Sequence, residues 1–391
     1  MRPLNQLESV FRVCDRAAPF NFVVFAQISG PMGMKALQAA CLTQLERFPR
    51  LTYSIDDGHG PVAAWVPTGR QPKVEMVGGP GLQAHLNQVL NSPFECPDEP
   101  LMRVRWYKSD HEQYLLLSLN HTVADGRSGL RLFESLVSDL GTIQAGGALG
   151  PIVPVDDPFF DSIEGPKGRI SPMGGRQFES AQVQDRRTVV MPILFDEATT
   201  QKLVEKTRRF GVSMSGLIAA CHGMSVMDVL GGPGAVSMSF PVDWRGRLPG
   251  LDSDYFGVAV GNAKLLYRLG YKEDIWALTR RLSGDLKRVS ASAPPRTVDI
   301  DPMTIYQSRS SAAVSNVGKV SWSGREQGIS VSHLGFAVSC SYFGDHILTA
   351  TTHNGQLQMT YCVVPEAIPA DKAQAIISDT VDALKVIAVT P

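Results

Sequence analysis

The sequence predicts a mixed α/β protein with two lobes, and three observations support this. The chain has 391 residues, more than one hydrophobic core usually serves. Strand-type segments rich in β-branched and aromatic residues alternate with amphipathic helix-type segments. Between the two halves lies a stretch so rich in Gly and Pro that it excludes regular elements. We therefore predict an N-terminal lobe over 1–150, a crossover linker over 151–185 and a C-terminal lobe over 186–391.

The first lobe is predicted to begin with a strand and a helix. Aromatic and β-branched residues over 20–30 predict the strand, and the apolar spacing of Leu37, Cys41 and Leu45 predicts a helix that Pro49 ends. Further strands are predicted at 51–55, 62–66, 101–109 and 112–119.

The second lobe is predicted to open on a strand and two helices and to close on a hairpin and a helix. The hairpin should turn at Asn354 and Gly355, since this pair favours the positive φ of a tight turn. Predicted strands cover 187–195, 234–247, 255–269, 328–335 and 346–364, and predicted helices cover 196–211, 213–232 and 369–387.

Composition and charge narrow the choice of partners and compartment. The formal net charge is -1 and like charges do not cluster, which argues against nucleic acid as a partner. The six cysteines are scattered, which argues against a disulfide framework and favours a reducing cytoplasm. The N-terminus lacks the pattern of a signal peptide, and no segment approaches the ~20 apolar residues of a membrane span. We expect a cytoplasmic protein that acts on small molecules or with a carrier protein.

Several common sites are absent from the sequence. It contains no phosphate-binding GxxxxGK[ST] loop, no strand-borne GxGxxG and no GxSxG elbow, which argues against ATP, NAD and serine-hydrolase chemistry. The histidines have no companion ligands at metal spacing, so we expect no metal. His222 lies in an apolar helical stretch and is expected in the core, whereas His353, which heads a hairpin turn, is expected in solvent.

The most informative stretch is YLLLSLNHTVADGRSGLRLFESL, over residues 114–136. Its apolar run predicts a strand buried on both sides, and the apolar spacing after Gly126 predicts a helix. The turn between them, where α/β proteins place reactive groups, carries His121 and Asp125. A histidine in one tautomer can deprotonate a hydroxyl or an amine near neutral pH.

Asp125 admits more than one interpretation. It can orient the imidazole directly, brace the loop through a cation elsewhere, or cap the following helix. For the bracing role Arg245 is the candidate, because its planar fork can hold a buried carboxylate through two hydrogen bonds.

The turn NHTVADG resembles the HHxxxDG motif of the chloramphenicol acetyltransferase-like superfamily, which includes condensation domains, BAHD acyltransferases, alcohol acetyltransferases and polyketide-associated acyltransferases. The segments LQAACLTQLERFPRLTYSI, PLMRVRWY, FPVDWRGRL, VSNVGKV and HNGQLQMTYCVVPEAIPADKA are similar to further segments of the family. The likeness therefore extends over almost the whole chain, and the first motif is its most specific part.

The resemblance implies two similar α/β lobes with a channel between them, in which an acyl thioester and an acceptor meet at His121. It implies His121 as general base, Asp125 as structural aspartate, Arg245 as its partner, and Gly126 as the residue that keeps the channel open. No acyl-enzyme is implied. The thioester, on CoA or on the phosphopantetheine arm of a carrier protein, is a co-substrate, and no cofactor is permanently bound.

The chain departs from the motif at its first histidine, which Asn120 replaces. Single-histidine members are common among O-acylating branches, so we expect an alcohol acceptor and ester formation in specialised metabolism. Two alternatives stay open: an amide-forming condensation-type enzyme, and a non-catalytic member that docks carrier proteins. Ser315 and Asn316 are candidate oxyanion donors, although SNVG is also ordinary turn chemistry.

Overall fold

The computed structural model describes residues 2–58, 63–155, 167–168, 174–178, 182–247, 251–292, 296–297 and 302–390. The helices are α1 Gln6–Ala17, α2 Met34–Arg47, α3 Leu82–Asn91, α4 Gly126–Gln144, α5 Glu197–Arg209, α6 Met214–Val229, α7 Ile275–Ala291, α8 Pro302–Gln307 and α9 Ala370–Val389. The strands are β1 Arg2–Pro3, β2 Asn21–Ser29, β3 Tyr53–Asp56, β4 Ala64–Pro67, β5 Lys73–Val77, β6 Met102–Lys108, β7 Gln113–Asn120, β8 Lys167–Gly168, β9 Val189–Leu194, β10 Gly234–Asp243, β11 Val260–Leu269, β12 Arg296–Thr297, β13 Ala312–Val320, β14 Arg325–Glu326, β15 Ile329–Val338, β16 His346–His353 and β17 Gln356–Val363. Short 3-10 turns lie at Pro49–Thr52 and Val183–Asp185.

The chain divides into two compact units. The first comprises Met1–Glu164, Trp244–Val260 and Ser321–Ser339, and the second comprises Gly165–Asp243, Gly261–Val320 and Cys340–Pro391. The first unit thus contains two segments from the second half of the chain. The predicted boundaries near 150 and 186 stay predictions, and most of the predicted linker lies outside the described residues.

The first unit contains a six-stranded mixed sheet in the order β14-β15-β2-β7-β6-β5. Its β7 is buried from Tyr114 to Asn120 and pairs antiparallel with both β2 and β6. A three-stranded sheet, β1-β4-β3, completes the unit. The predicted buried strand is confirmed, and its carboxyl end is where the NHTVADG turn begins.

The second unit contains its own six-stranded mixed sheet, in the order β11-β10-β13-β16-β17-β9. The closing hairpin joins β16 to β17, with His353 paired to Gln356. Asn354 and Gly355 both have positive φ, 48° and 80°, as predicted for this turn. The two units therefore have sheets of similar kind, in agreement with the predicted α/β architecture.

The structure contains elements that the sequence patterns did not predict, among them α1, α3, α7 and β13. A local signal existed for α1, where Asn5 and Glu8 form a capping box at the N-terminus of the helix. The buried face of α1 includes charged residues such as Glu8 and Arg12. Apolar residues therefore do not recur along it with a clear helical spacing.

Within the described residues, no single helix has the length and apolar character needed to cross a bilayer. The pair α5 and α6 meets those two criteria jointly, but the helices are bent by 102° at the break between them.

Candidate active site

The turn after β7 presents His121 by means of Asn120. The side-chain oxygen of Asn120 accepts a hydrogen bond from the Thr122 N–H at 3.0 Å. The backbone carbonyl of Asn120 accepts one from the Val123 N–H at 3.1 Å. Asparagine favours such turns because its short side chain can bond the backbone two residues on. Asn120 therefore stabilises the tight turn, and His121 is the next residue.

His121 is anchored to the neighbouring strand through its backbone. Its N–H donates to the Phe20 carbonyl at 2.8 Å, so the β2–β7 pairing, in which Asn21 faces Asn120, continues by one residue. The side chain stays half-buried. Its Nδ1 atom is buried and has no hydrogen-bond partner among the described residues. Nε2 is not among the buried atoms that lack a partner. Nε2 is thus the nitrogen left accessible.

The His121 ring lies among three phenylalanine rings. The Phe11, Phe20 and Phe22 ring centroids are 4.7, 4.8 and 4.9 Å from its own. Burial in this surrounding lowers the pKa of His121 to about 4. The negative charge of Asp125 raises the pKa and so opposes part of this effect, as do nearby carbonyl groups of the turn. The imidazole is therefore neutral at pH 7.

Asp125 caps α4 and is almost wholly buried, at 2 % exposure. Its Oδ1 accepts from the Ser128 N–H at 3.0 Å, and its Oδ2 accepts from the Ala259 N–H at 2.9 Å. Burial raises the pKa of a carboxyl group, but here the charge and hydrogen bonds of Arg245 and these amides outweigh burial and lower the pKa of Asp125. The residue is a buried carboxylate.

Arg245 holds this carboxylate with both arms of its guanidinium. Nη2 donates to Oδ1 and Nη1 lies against Oδ2, each at 2.9 Å. Nη2 also donates to Ser128 Oγ at 2.7 Å, and Nε donates to the Tyr255 carbonyl at 2.9 Å. The predicted ion pair is present, and it lies wholly within the first unit because Trp244–Val260 belongs to that unit.

The geometry distinguishes among the roles predicted for Asp125. Both carboxylate oxygens are engaged by Arg245 and by backbone amides, and the Nδ1 of His121 has no hydrogen-bond partner in the described part of the chain. Asp125 therefore braces the loop and caps the helix, and it does not orient the imidazole through a hydrogen bond.

Gly257, whose carbonyl accepts from Arg245, lets the 244–260 segment pack closely against Arg50 and Tyr255. Its φ is +149°, and a Cβ there would lie 2.5 Å from Nη1 of Arg50 and 2.6 Å from the Tyr255 hydroxyl. Its carbonyl accepts from the Asp125 N–H at 3.2 Å and from Ser128 Oγ at 2.9 Å. Sequence reasoning missed Ser128, Gly257 and Ala259. The Ala259 amide carries no residue-type signal, and the contacts of Ser128 and Gly257 depend on the return of the 244–260 segment to the first unit.

Gly126 lies directly after Asp125 in the turn. It begins α4 and is not among the residues with positive φ, so an unusual backbone conformation is not what requires glycine there. A need for space beside an incoming substrate stays a prediction.

Ser315 and Asn316 lie on β13 in the second unit. The Asn316 amide donates to Ser215 Oγ at 3.1 Å, and its oxygen accepts from the Gly318 N–H at 2.8 Å across an irregularity in the β13–β16 pairing. SNVG therefore lies within a strand, at an irregularity in its pairing, and not in the turn that was the alternative interpretation. The oxyanion role stays a prediction.

The other histidines divide between confirmed and corrected expectations. His222 is fully buried, as predicted, and its Nε2 lies 3.0 Å from Nε2 of His346. The expectation for His353 was wrong: it is 3 % exposed, because it belongs to β16 and not to the exposed turn that follows. His59 lies outside the described residues. Among the described residues no group of three or more His, Cys, Asp or Glu side chains could hold a metal ion.

Comparison with known proteins places this geometry in a wider context. Residues 184–364 match the family model described as phthiocerol/phthiodiolone dimycocerosyl transferase C-terminus. No curated protein matches the chain by sequence.

Three solved structures resemble the chain over nearly its whole length. Polyketide synthase associated protein 5 from Mycobacterium tuberculosis has a TM-score of 0.71 at 17 % identity, covering 99 % of this chain and 98 % of that one. The first condensation domain of the CDA synthetase has a TM-score of 0.73 at 14 % identity, covering 100 % and 97 %. The epimerization domain from the third module of tyrocidine synthetase B has a TM-score of 0.66 at 14 % identity, covering 96 % and 92 %.

Identities this low establish the fold alone. The chain has the fold of the chloramphenicol acetyltransferase-like superfamily, so the resemblance inferred from the NHTVADG turn is confirmed for the fold.

Proposed function

We propose, on the premise of this fold, that the chain is an acyltransferase that moves an acyl group from a CoA or carrier-protein thioester to an alcohol. The observation that carries the proposal is His121: a neutral imidazole at the carboxyl end of a buried central strand, with its Nε2 accessible. The C-terminal match to a transferase family and the whole-length likeness to polyketide synthase associated protein 5 support it.

The proposed chemistry proceeds through one addition and one elimination. Nε2 of His121 accepts the hydroxyl proton as the alcohol oxygen attacks the thioester carbonyl, which gives a tetrahedral oxyanion. The oxyanion then collapses, the carbon–sulfur bond breaks, and the imidazolium returns its proton to the departing thiolate. The products are an ester and a free thiol, and no acyl-enzyme forms. A positioned base of this kind contributes about 10²- to 10⁴-fold.

The surrounding residues take supporting roles in this proposal. A neutral imidazole is the form that accepts a proton, and its lowered pKa ensures this form well below pH 7. Asp125 and Arg245 fix the turn and the start of α4, so that His121 is presented from a rigid scaffold. Ser315 and Asn316 are the proposed donors to the oxyanion, and Gly126 leaves space for a substrate. The proposed setting is the cytoplasm, with no metal or permanently bound cofactor.

A second candidate is amide formation on the same scaffold. The likeness to a condensation domain favours it, with a TM-score of 0.73 over the full chain. The two candidates share the base and the donor and differ in the acceptor, because an amine replaces the alcohol. We prefer an alcohol acceptor because Asn120 replaces the first histidine of the motif, and single-histidine members are common among O-acylating branches.

The deciding experiment supplies purified protein with an acyl-CoA or an acyl carrier protein, and with alcohol and amine acceptors of matched carbon skeleton. Thiol release is followed with a thiol-reactive dye, and products are identified by mass spectrometry. We expect an ester product that disappears in the His121→Ala variant. Exclusive amide product selects the second candidate, and tight binding of the carrier protein without thiol release selects a docking role.

A further inference from the structure

The orientation of a catalytic histidine is usually fixed by a hydrogen bond to one of its nitrogens. An acceptor on Nδ1, most often a carboxylate or a carbonyl, sets both the tautomer and the ring plane. In this chain Nδ1 of His121 is buried without a partner among the described residues, and Asp125 is engaged by Arg245 instead. The carbonyl groups of His121 and Ala124 lie near the ring, and further contacts contribute to its orientation.

Aromatic packing supplies those contacts. Phe20 faces His121 across the β2–β7 pair, and its ring stacks on the imidazole at 23° with centroids 4.8 Å apart. Phe22, two residues on and so on the same face of the strand, meets it at 49°. Phe11 of α1 approaches edge-on at 67°. Directly opposed cross-strand pairs and offset or edge-on rings are favourable geometries.

The phenylalanine rings are themselves held in place. Phe20 and Phe22 are 5 % and 1 % exposed. A Cβ on Gly129 of α4 would lie 2.4 Å from the Phe22 ring, so the helix backbone packs directly against that ring. Phe11 packs edge-on against Phe20 with centroids 5.2 Å apart. Rotation of the imidazole would require these buried rings to move.

We propose that Phe20, supported by Phe11 and Phe22, is a positioning residue that holds the His121 ring by stacking and directs Nε2 towards the acceptor hydroxyl. This inference rests on the proposed acyltransferase function, because it assigns the role to the same base. The apolar cradle, defined as Phe11, Phe20 and Phe22, has a second consequence. It excludes water from the Nδ1 side of the ring, in keeping with the lowered pKa of His121.

The test compares Phe20→Leu with Phe25→Leu. Leucine keeps an apolar side chain but has no ring plane to stack. Phe25 lies on β2, which follows Phe20 directly, and is 1 % exposed on the face opposite Phe22, so its variant reproduces the loss of packing without touching the imidazole. Phe11→Leu is the second variant, since Phe11 is only half-buried and its replacement disturbs the fold less.

We expect Phe20→Leu to lower kcat by about 10- to 100-fold with little change in KM, since small misplacements of a reacting group have effects of this size. The acidic limb of the kcat profile should also move upward by about one pH unit as water reaches the ring. Phe11→Leu should change kcat and the acidic limb in the same directions, by smaller amounts. Phe25→Leu should lower the melting temperature and leave the limb in place.

A binding-independent readout separates this inference from the proposed function. The imidazole resonances of His121, assigned by their loss in His121→Ala, are titrated without substrate in the wild type and each variant. An upward shift of the His121 midpoint in Phe20→Leu supports the cradle even if no thioester is consumed. The same midpoint in the wild type, Phe20→Leu and Phe11→Leu, or a kcat loss no larger than that of Phe25→Leu, overturns it.

Discussion

Two histidine environments in this molecule have one property in common and differ in another. His121 in the first unit and the His222–His346 pair in the second all have a pKa lowered by burial. In the pair the two Nε2 atoms face each other at 3.0 Å, whereas Nε2 of His121 has no protein partner among the described residues. Burial alone therefore produces a neutral imidazole, and only an available lone pair makes it a base.

The largest expected effect concerns that lone pair. We predict that His121→Ala lowers kcat by about 10²- to 10⁴-fold in a protein that remains folded, because the variant loses the base and keeps the surrounding strand and helix. His222→Ala should do the reverse: it should destabilise the second unit and leave kcat of the folded protein nearly unchanged. His111→Ala, at an exposed position, is the control. Near wild-type turnover in His121→Ala would end the general-base assignment.

The next effect concerns the loop beneath His121. We predict that Asp125→Asn and Arg245→Ala each lower the free energy of unfolding by about 3 to 5 kcal/mol and also lower kcat, since either change leaves a buried charge unpaired. The double variant should be little worse than either single one. Arg288→Ala, which removes one side of an exposed ion pair, should cost about 1 kcal/mol or less in urea unfolding. Strict additivity of the two buried changes would contradict the coupling.

A smaller effect, dependent on pH, sharpens the contrast between the two sites. The pKa of His346 is lowered from 6.5 to about 4, chiefly by burial, and that of His222 is also lowered, while Asp345 opposes part of the shift at His346. Between these pH values the unfolded chain binds more protons than the folded one. Stability is therefore complete above about pH 6.5 and falls, by a few kcal/mol at most, as the pH drops towards 4.

Urea unfolding at pH 7.5 and 5.0 measures this slope. The His346→Gln variant keeps a hydrogen-bonding partner for His222 but removes one titrating group, so its stability should depend less on pH. His121→Ala should reduce the slope as well, because the lowered pKa of His121 acts in the same direction. An unchanged slope in both variants would show that other groups govern the acid response.

The smallest effect concerns the departure from the double-histidine motif. We predict that Asn120→His lowers stability by about 1 kcal/mol, because the hydrogen bond from the Thr122 N–H to the Asn120 side chain is lost. Turnover should change by less than about threefold, since the base is His121 and the turn is also closed through the Asn120 carbonyl. Asn120→Ala is the matched control for the loss of the side-chain bond. A large gain in turnover with histidine would mean that this position has a chemical role.

Sequence reasoning predicted the parts of the site that local pattern specifies. The apolar run before His121 predicted the buried strand, and the spacing after Gly126 predicted α4. A strand buried on both faces is apolar at every position, whereas a helix buried on one face is apolar only at every third or fourth position. Arg245 was predicted from the chemistry of a buried carboxylate and from the resemblance. These inferences depend on residue type, which the sequence provides directly.

The other parts of the site depend on strand register and on the return of later segments to the first unit. Residue type does not specify either of these. Phe20 stacks on His121 only because Asn21 pairs with Asn120, and a shift of one residue would move its side chain to the other face of the sheet. The Ala259 amide reaches Asp125 because the 244–260 segment joins the first unit. Likewise, the pattern of HNGQ placed His353 just before the turn, but nothing in it shows that this end of the strand is buried.

The return of residues 321–339 to the first unit has a consequence for synthesis on the ribosome. β15 pairs with β2 from Val338 to Ser330, so until that segment emerges β2 is an uncovered edge of apolar residues. Arg245 also emerges long after Asp125, whose partner is missing in the meantime. A nascent chain that ends near residue 155 therefore exposes an unpaired apolar edge strand and a carboxylate without its ion-pair partner. Such a chain is poorly protected against aggregation. The first unit, although it begins at the N-terminus, becomes complete only after most of the second has been made.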